Sequence, residues 1–175
     1  MIPLKDDNPT SSRPIVSYGI IGFCVLIFLA QIGLSENELR DFTYSYGLIP
    51  SVLMGIDQLP NDLNRISPIG TIFTSMFMHG GWMHLIGNML YLWIFADNIE
   101  DDLGPTKFLI FYLLCGLLAA LLQSIIDPTS NIPMIGASGA IAGGLGAYLL
   151  LYPRANINVI GLESHSCPPY VINPL

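Results

Sequence analysis

A serine with small neighbours, and a histidine and asparagine four residues apart, are the groups best placed for chemistry in this chain. Ser138 lies in Gly136-Ala137-Ser138-Gly139-Ala140, near the start of an uncharged run from Met134 to Tyr152. Glycines on both sides leave room for a carbonyl to reach the hydroxyl, as nucleophilic attack requires. The run also holds five glycines and four alanines, so Ser138 equally fits a seam where helices pack closely. On this stretch alone the packing reading is the stronger. His84 and Asn88 lie on one helical face, about one turn apart. Polar side chains at membrane depth are costly, and they are functional or mutually bonded.

These groups need helices to hold them, and the composition says in what medium. Of 175 residues, 52% are hydrophobic and only 11% charged, with a mean hydropathy of +0.58. A soluble domain has about a quarter of its residues charged. The reading is therefore an all-α, polytopic membrane helical bundle. A net charge of −7 without a basic patch excludes nucleic acid as a partner. The three cysteines form no disulfide framework: Cys24 and Cys115 sit in apolar runs and Cys167 in the tail. The start of the chain, 1–14, is polar and contains proline, so it does not read as a cleavable signal.

Four spans are expected, at about 15–34, 81–99, 107–126 and 134–152, within a membrane domain of 15–154. Residues 35–78 form a long, proline-broken connection that reads as lying on or partly in the membrane surface. Asp97, Glu100, Asp101 and Asp102 are expected in a solvated turn. Residues 155–175 make an atypical, proline-rich tail that cannot span. Lys5, Arg13, Lys107 and Arg154 fall on the side of the N-terminus, against Arg40 and Arg65 on the other, so the N-terminus is expected in the cytoplasm. The chain enters the second and fourth spans from one side. Ser138, about 7 Å along its helix at 1.5 Å per residue, then shares a layer with His84 and Asn88. Together the three groups favour a catalytic layer over polar glue.

The pattern His79-Gly-Gly-Trp-Met-His84-Leu-Ile-Gly-Asn88, then Asp97-Asn-Ile-Glu-Asp-Asp-Leu-Gly104, then Gly136-Ala-Ser138-Gly resembles the rhomboid intramembrane serine proteases over roughly residues 9–154. The opening Met1-Ile-Pro-Leu-Lys-Asp-Asp-Asn-Pro9 resembles bacterial members, which implies a bacterial inner membrane. The resemblance implies an endopeptidase that cuts transmembrane segments of single-span membrane proteins within the lipid bilayer. Ser138 would be the nucleophile. His84 and Asn88, with the Ser138 backbone N–H, would donate to the oxyanion, a strong effect where water is excluded. His79 matches a structural loop histidine, and Trp82 reads as an interface anchor.

One part of the family pattern is missing. Its general base is a histidine in Ala-His-x-x-Gly on a sixth span, and only four of the six implied spans read here. His165 is the remaining histidine, and it would emerge on the wrong side of a hydrocarbon core about 30 Å thick. The tail reads as foreign sequence, of the kind a frameshift or truncated gene would give. A binding protein that holds transmembrane clients without cutting them is therefore a second expectation. A zinc protease is disfavoured because His-Glu-x-x-His is absent and His79 and His84 are five apart. An aspartyl protease would need an aspartate in mid-span, and a transporter would need ionisable groups along a path. No metal or organic cofactor is implied, since serine, imidazole and amide donors suffice for acyl transfer.

Overall fold

The structure, a computed structural model, describes residues 2–160 and 170–172. Its order is β1 (Ile2–Asp6), α1 (Ile15–Ile32), α2 (Glu36–Tyr46), α3 (Pro50–Leu53), α4 (Pro68–Ser75), α5 (Trp82–Leu103), α6 (Pro105–Ile126), α7 (Ser138–Leu151), β2 (Ile157–Ile160) and β3 (Tyr170–Ile172). The chain is predominantly helical, as expected.

Burial follows helical periodicity. α1 buries Ser17, Ile20, Cys24, Phe28 and Gln31, at steps of three and four. α6 buries Phe108, Tyr112, Gly116, Ala120 and Ser124, at every fourth position. The outward faces are apolar too: Leu26 and Leu29 on α1, and Leu118, Leu122, Ile125 and Ile126 on α6, are exposed. Such faces suit hydrocarbon and not water. α1 and α6 are each long and apolar enough to cross a membrane. α5 is central and packs against α1, α6, α7 and β1. Small residues bring α7 onto α6. A Cβ on Gly139 would lie 2.7 Å from the Cβ of Ala119, and Gly143 meets Cys115 in the same way.

Four expectations need correction. The second expected span, α5, does not stop at 99, because the acidic stretch is helical through Leu103. Glu100, expected in a solvated turn, is only 1% exposed. Its carboxylate caps α1, accepting from the backbone N–H groups of Val16 (2.9 Å) and Ser17 (2.8 Å) and from Ser17 Oγ (2.7 Å). The fourth expected span, α7, starts at Ser138 and not at 134, because the chain before it is extended and bridged to Leu48 through Met134. Residues 35–78 contain three helices, the first opened by a capping box between Ser35 and Glu38. Lastly, a small sheet joins the two ends of the chain. β2 pairs antiparallel with β1 and with β3, and the β1 register shifts between Pro3 and Lys5. His165, the tail histidine weighed as a base, lies outside the described residues.

Candidate active site

The site is assembled at the end of the molecule away from the sheet. Met134 and Leu48 exchange both backbone bonds, at 2.7 and 3.0 Å, and the Gly136 N–H donates to Ser75 O at 2.8 Å. These bonds hold the strand-like segment that delivers Ser138 as the first residue of α7. Ser138 is thus at the helix N-terminus and not one turn inside it. Its amide and that of Gly139 fall among the first-turn N–H groups that have no intrahelical acceptor. The positive end of the helix dipole lies at the same place.

His84 comes from the first turn of α5, and its imidazole edge rests on Gly136. Gly136 has φ +127°, a conformation that side chains rarely adopt. A Cβ there would lie 2.7 Å from His84 Nε2 and 3.9 Å from Ser138 Oγ. Imidazole and hydroxyl therefore flank one small space. Gly136→Ala is expected to drive His84 out of register with Ser138. The strained backbone should cost about 1–3 kcal/mol as well, read as a lower unfolding midpoint with altered His84 imidazole resonances.

Asn88, 8% exposed, donates from Nδ2 to His84 O at 2.9 Å, within its own helix. The amide has a second N–H. His84, Asn88 and Ser138 line one open groove of about 420 Å³ between α5 and α7, with Met83, Tyr91 and Leu145 among its walls. A second cavity, of about 340 Å³, opens on the other side of Ser138, walled by Ser75, Gln123 and Gly136 among others. Ser138 is itself exposed, so a carbonyl can reach it. The three expected side chains are brought to one layer at one end of the bundle.

His79, only 1% exposed, stands apart from this groove. Neither ring nitrogen has a hydrogen-bond partner. Its ring meets that of His84 edge-on, with centroids 5.2 Å apart. Burial, and secondly the neighbouring His84, push its pKa down to about 4. Its backbone is held by Gln31 of α1, a residue that the sequence reading passed over. The signal was present: Gln31 is a full amide in an otherwise apolar span, where a polar group needs a partner. Trp82 is 56% exposed and packs edge-on against Phe28. Among the described residues, no cluster of His, Cys, Asp or Glu could hold a metal ion.

Residues 68–172 match the Rhomboid domain, a stretch that runs past Arg154 into the tail. The chain belongs to the rhomboid family, whose members are integral membrane proteins. It is similar to a putative rhomboid protease, YdcA, of Bacillus subtilis, with 33% identity over 92 residues, covering 53% of this chain and 45% of that one. It is also similar to the rhomboid protease GluP of the same organism, with 37% identity over 78 residues, covering 45% of this chain and 15% of GluP. The presenilin-associated rhomboid-like protein A of Danio rerio, a mitochondrial protein, is 31% identical over 88 residues, covering 49% of this chain and 23% of its own. The chain spans less than half the length of each of these relatives.

Proposed function

We propose that this chain holds transmembrane segments of membrane proteins in the α5–α7 groove, at a serine-endopeptidase site of the rhomboid type. Ser138 holds the nucleophile's place in that site; His84, the second N–H of Asn88 and the Ser138 amide stand where an oxyanion would form. The observation that carries this reading is the position of Gly136, where one atom would touch His84 Nε2 and lie 3.9 Å from Ser138 Oγ. In this reading α1, α5, α6 and α7 are four membrane spans, residues 35–78 rest at the membrane surface, and the polar start faces the cytoplasm of a bacterial cell. α7, 14 residues long, reaches about 21 Å, short of the roughly 30 Å hydrocarbon core. The extended segment before Ser138 makes up the difference and sinks the hydroxyl below the surface.

A second reading, binding without cutting, is favoured by one feature. His84 Nδ1 accepts the Gly80 N–H at 3.4 Å, so in the neutral ring the proton rides on Nε2, toward Gly136 and Ser138. That ring donates to the site and does not accept the serine's proton. His79 lines neither cavity. Among the described residues, no general base is set at Ser138.

The test is the 175-residue chain in lipid with a single-span client, and a photo-cross-linker at Leu145. The expected result is cross-linking to an intact client, unchanged by Ser138→Ala. Cleavage that Ser138→Ala abolishes would decide for the endopeptidase and against the second reading. No cross-link in either form would sink both readings.

A further inference from the structure

We infer that Gln31 is a positioning residue that fixes the protonation geometry of His84, and so decides whether the site donates or accepts a proton. The inference rests on the reading of His84 as an oxyanion donor. Gln31 lies in the last turn of α1 and is 2% exposed. An unpaired amide in that apolar setting would be costly, yet both its ends are satisfied by one residue. Gln31 Nε2 donates to His79 O at 3.3 Å, and Gln31 Oε1 accepts the His79 N–H at 3.2 Å. The pair closes on the backbone of residue 79, like one rung of a ladder. The imidazole of His79 plays no part in it, since neither of its nitrogens is bonded.

What this clamp positions is the next residue. Gly80 points its N–H at His84 Nδ1. A neutral imidazole that accepts at Nδ1 carries its proton at Nε2, and Nε2 is the atom that abuts Gly136 beside Ser138. The chain of consequence runs from an α1 side chain, through the 79–80 backbone, to the tautomer of a residue on α5. Release of the clamp removes the donor at Nδ1 and lets the ring take its other neutral form. That form presents a lone pair at Nε2 to the serine hydroxyl, which is the polarity of a base. A group four helices earlier in sequence thus selects between two chemistries of one ring.

The experiment uses the full chain in detergent micelles or nanodiscs, with 15N-labelled backbone and histidines. In the wild type, scalar coupling across the Gly80 N–H···Nδ1 bond is expected, with His84 Nε2 in the protonated form. Gln31→Met is near in shape and makes neither bond. It should lose the coupling and shift the His84 nitrogens to a mixture of tautomers, with unchanged helical circular dichroism. Gly80→Ala serves as the control that keeps the N–H. Its Cβ would meet Ile135 at 3.7 Å and His84 Nδ1 at 3.9 Å, ordinary contacts, and it should retain the wild-type tautomer. Should Gln31→Met fail to fold, Gln31→Asn decides: it keeps the amide but is one methylene too short to close on the backbone of residue 79, so lost coupling supports the assignment and retained coupling overturns it. A wild-type ring protonated at Nδ1, or a folded Gln31→Met chain with the coupling intact, also overturns it. None of these readouts needs a client, so failure here is distinguishable from failure to bind or cleave.

Discussion

Glu100→Ala is expected to lower the unfolding free energy by about 3 kcal/mol, because three donors lose their acceptor and each buried donor left unpaired costs about 1–3 kcal/mol. The carboxylate of Glu100 takes three hydrogen bonds, all from the first turn of α1. Two are from backbone N–H groups that a helix cannot pair within itself. In a segment placed on the inside of a bundle, water does not replace them. Each hydrogen bond to a charged group is worth about 1.5–3 kcal/mol, and the three are not additive. Asp101, one residue on, holds the preceding segment through the N–H groups of Ser11 and Ser12. That pair of bonds is exposed, so Asp101→Ala should cost clearly less. Unfolding in mixed micelles, followed by circular dichroism, ranks the two. Equal losses, or a Glu100→Ala chain as stable as the wild type, would show that the cap does not anchor α1. Glu100→Gln tests the same point more finely. Its amide would set a second donor against Ser17, so it should recover only part of the loss.

The contrast between Glu100 and Ser138 explains what was legible in the sequence. Ser138, His84 and Asn88 could be placed in one layer because counting crossings fixes which end of each helix shares a side. The 3.6-residue repeat likewise put His84 and Asn88 on one face. Such arguments need only local periodicity and topology. The cap on α1 comes from a residue more than eighty positions away, and nothing in the spacing of Asp97, Glu100, Asp101 and Asp102 separates a buried cap from a solvated turn. The sheet was missed for a related reason. Ile157-Asn-Val-Ile160 is too short to stand out by alternation, and its partner is at the other end of the chain. The start of α7 was misplaced because Met134 and Ile135 are as apolar as the helix they precede. Their extended form is imposed by Leu48 and Ser75, and hydropathy cannot see that. The capping box of α2 was readable, since Ser35 and Glu38 have the required spacing.

Acid should loosen the His79 loop, and with it the placement of His84. Burial and the adjacent His84 hold the His79 pKa at about 4, against about 6.5 for an unperturbed histidine. Above the unfolded value both states carry a neutral ring, and the folded state keeps its full stability. As pH falls below about 6.5 the unfolded chain takes up the proton and the folded chain does not, so stability falls. The loss continues until the folded ring titrates near 4, and then levels off. At 1.36 kcal/mol per unit the total is about 3 kcal/mol. Carboxylates also titrate at the acid end, so the informative window lies from about 6.5 down to 5, where histidines dominate. His79→Leu removes the titrating ring and its two unbonded nitrogens while filling similar space. It should be at least as stable as the wild type at pH 7, and its midpoint should stay flatter through that window. The quantity to measure is the difference between the two pH profiles, in which groups remote from residue 79 cancel. Superimposable profiles would mean that protonation of His79 is not coupled to folding. A divergence that opens as the pH drops would tie acid sensitivity to the segment that carries Gly80, and through it to the ring beside Ser138.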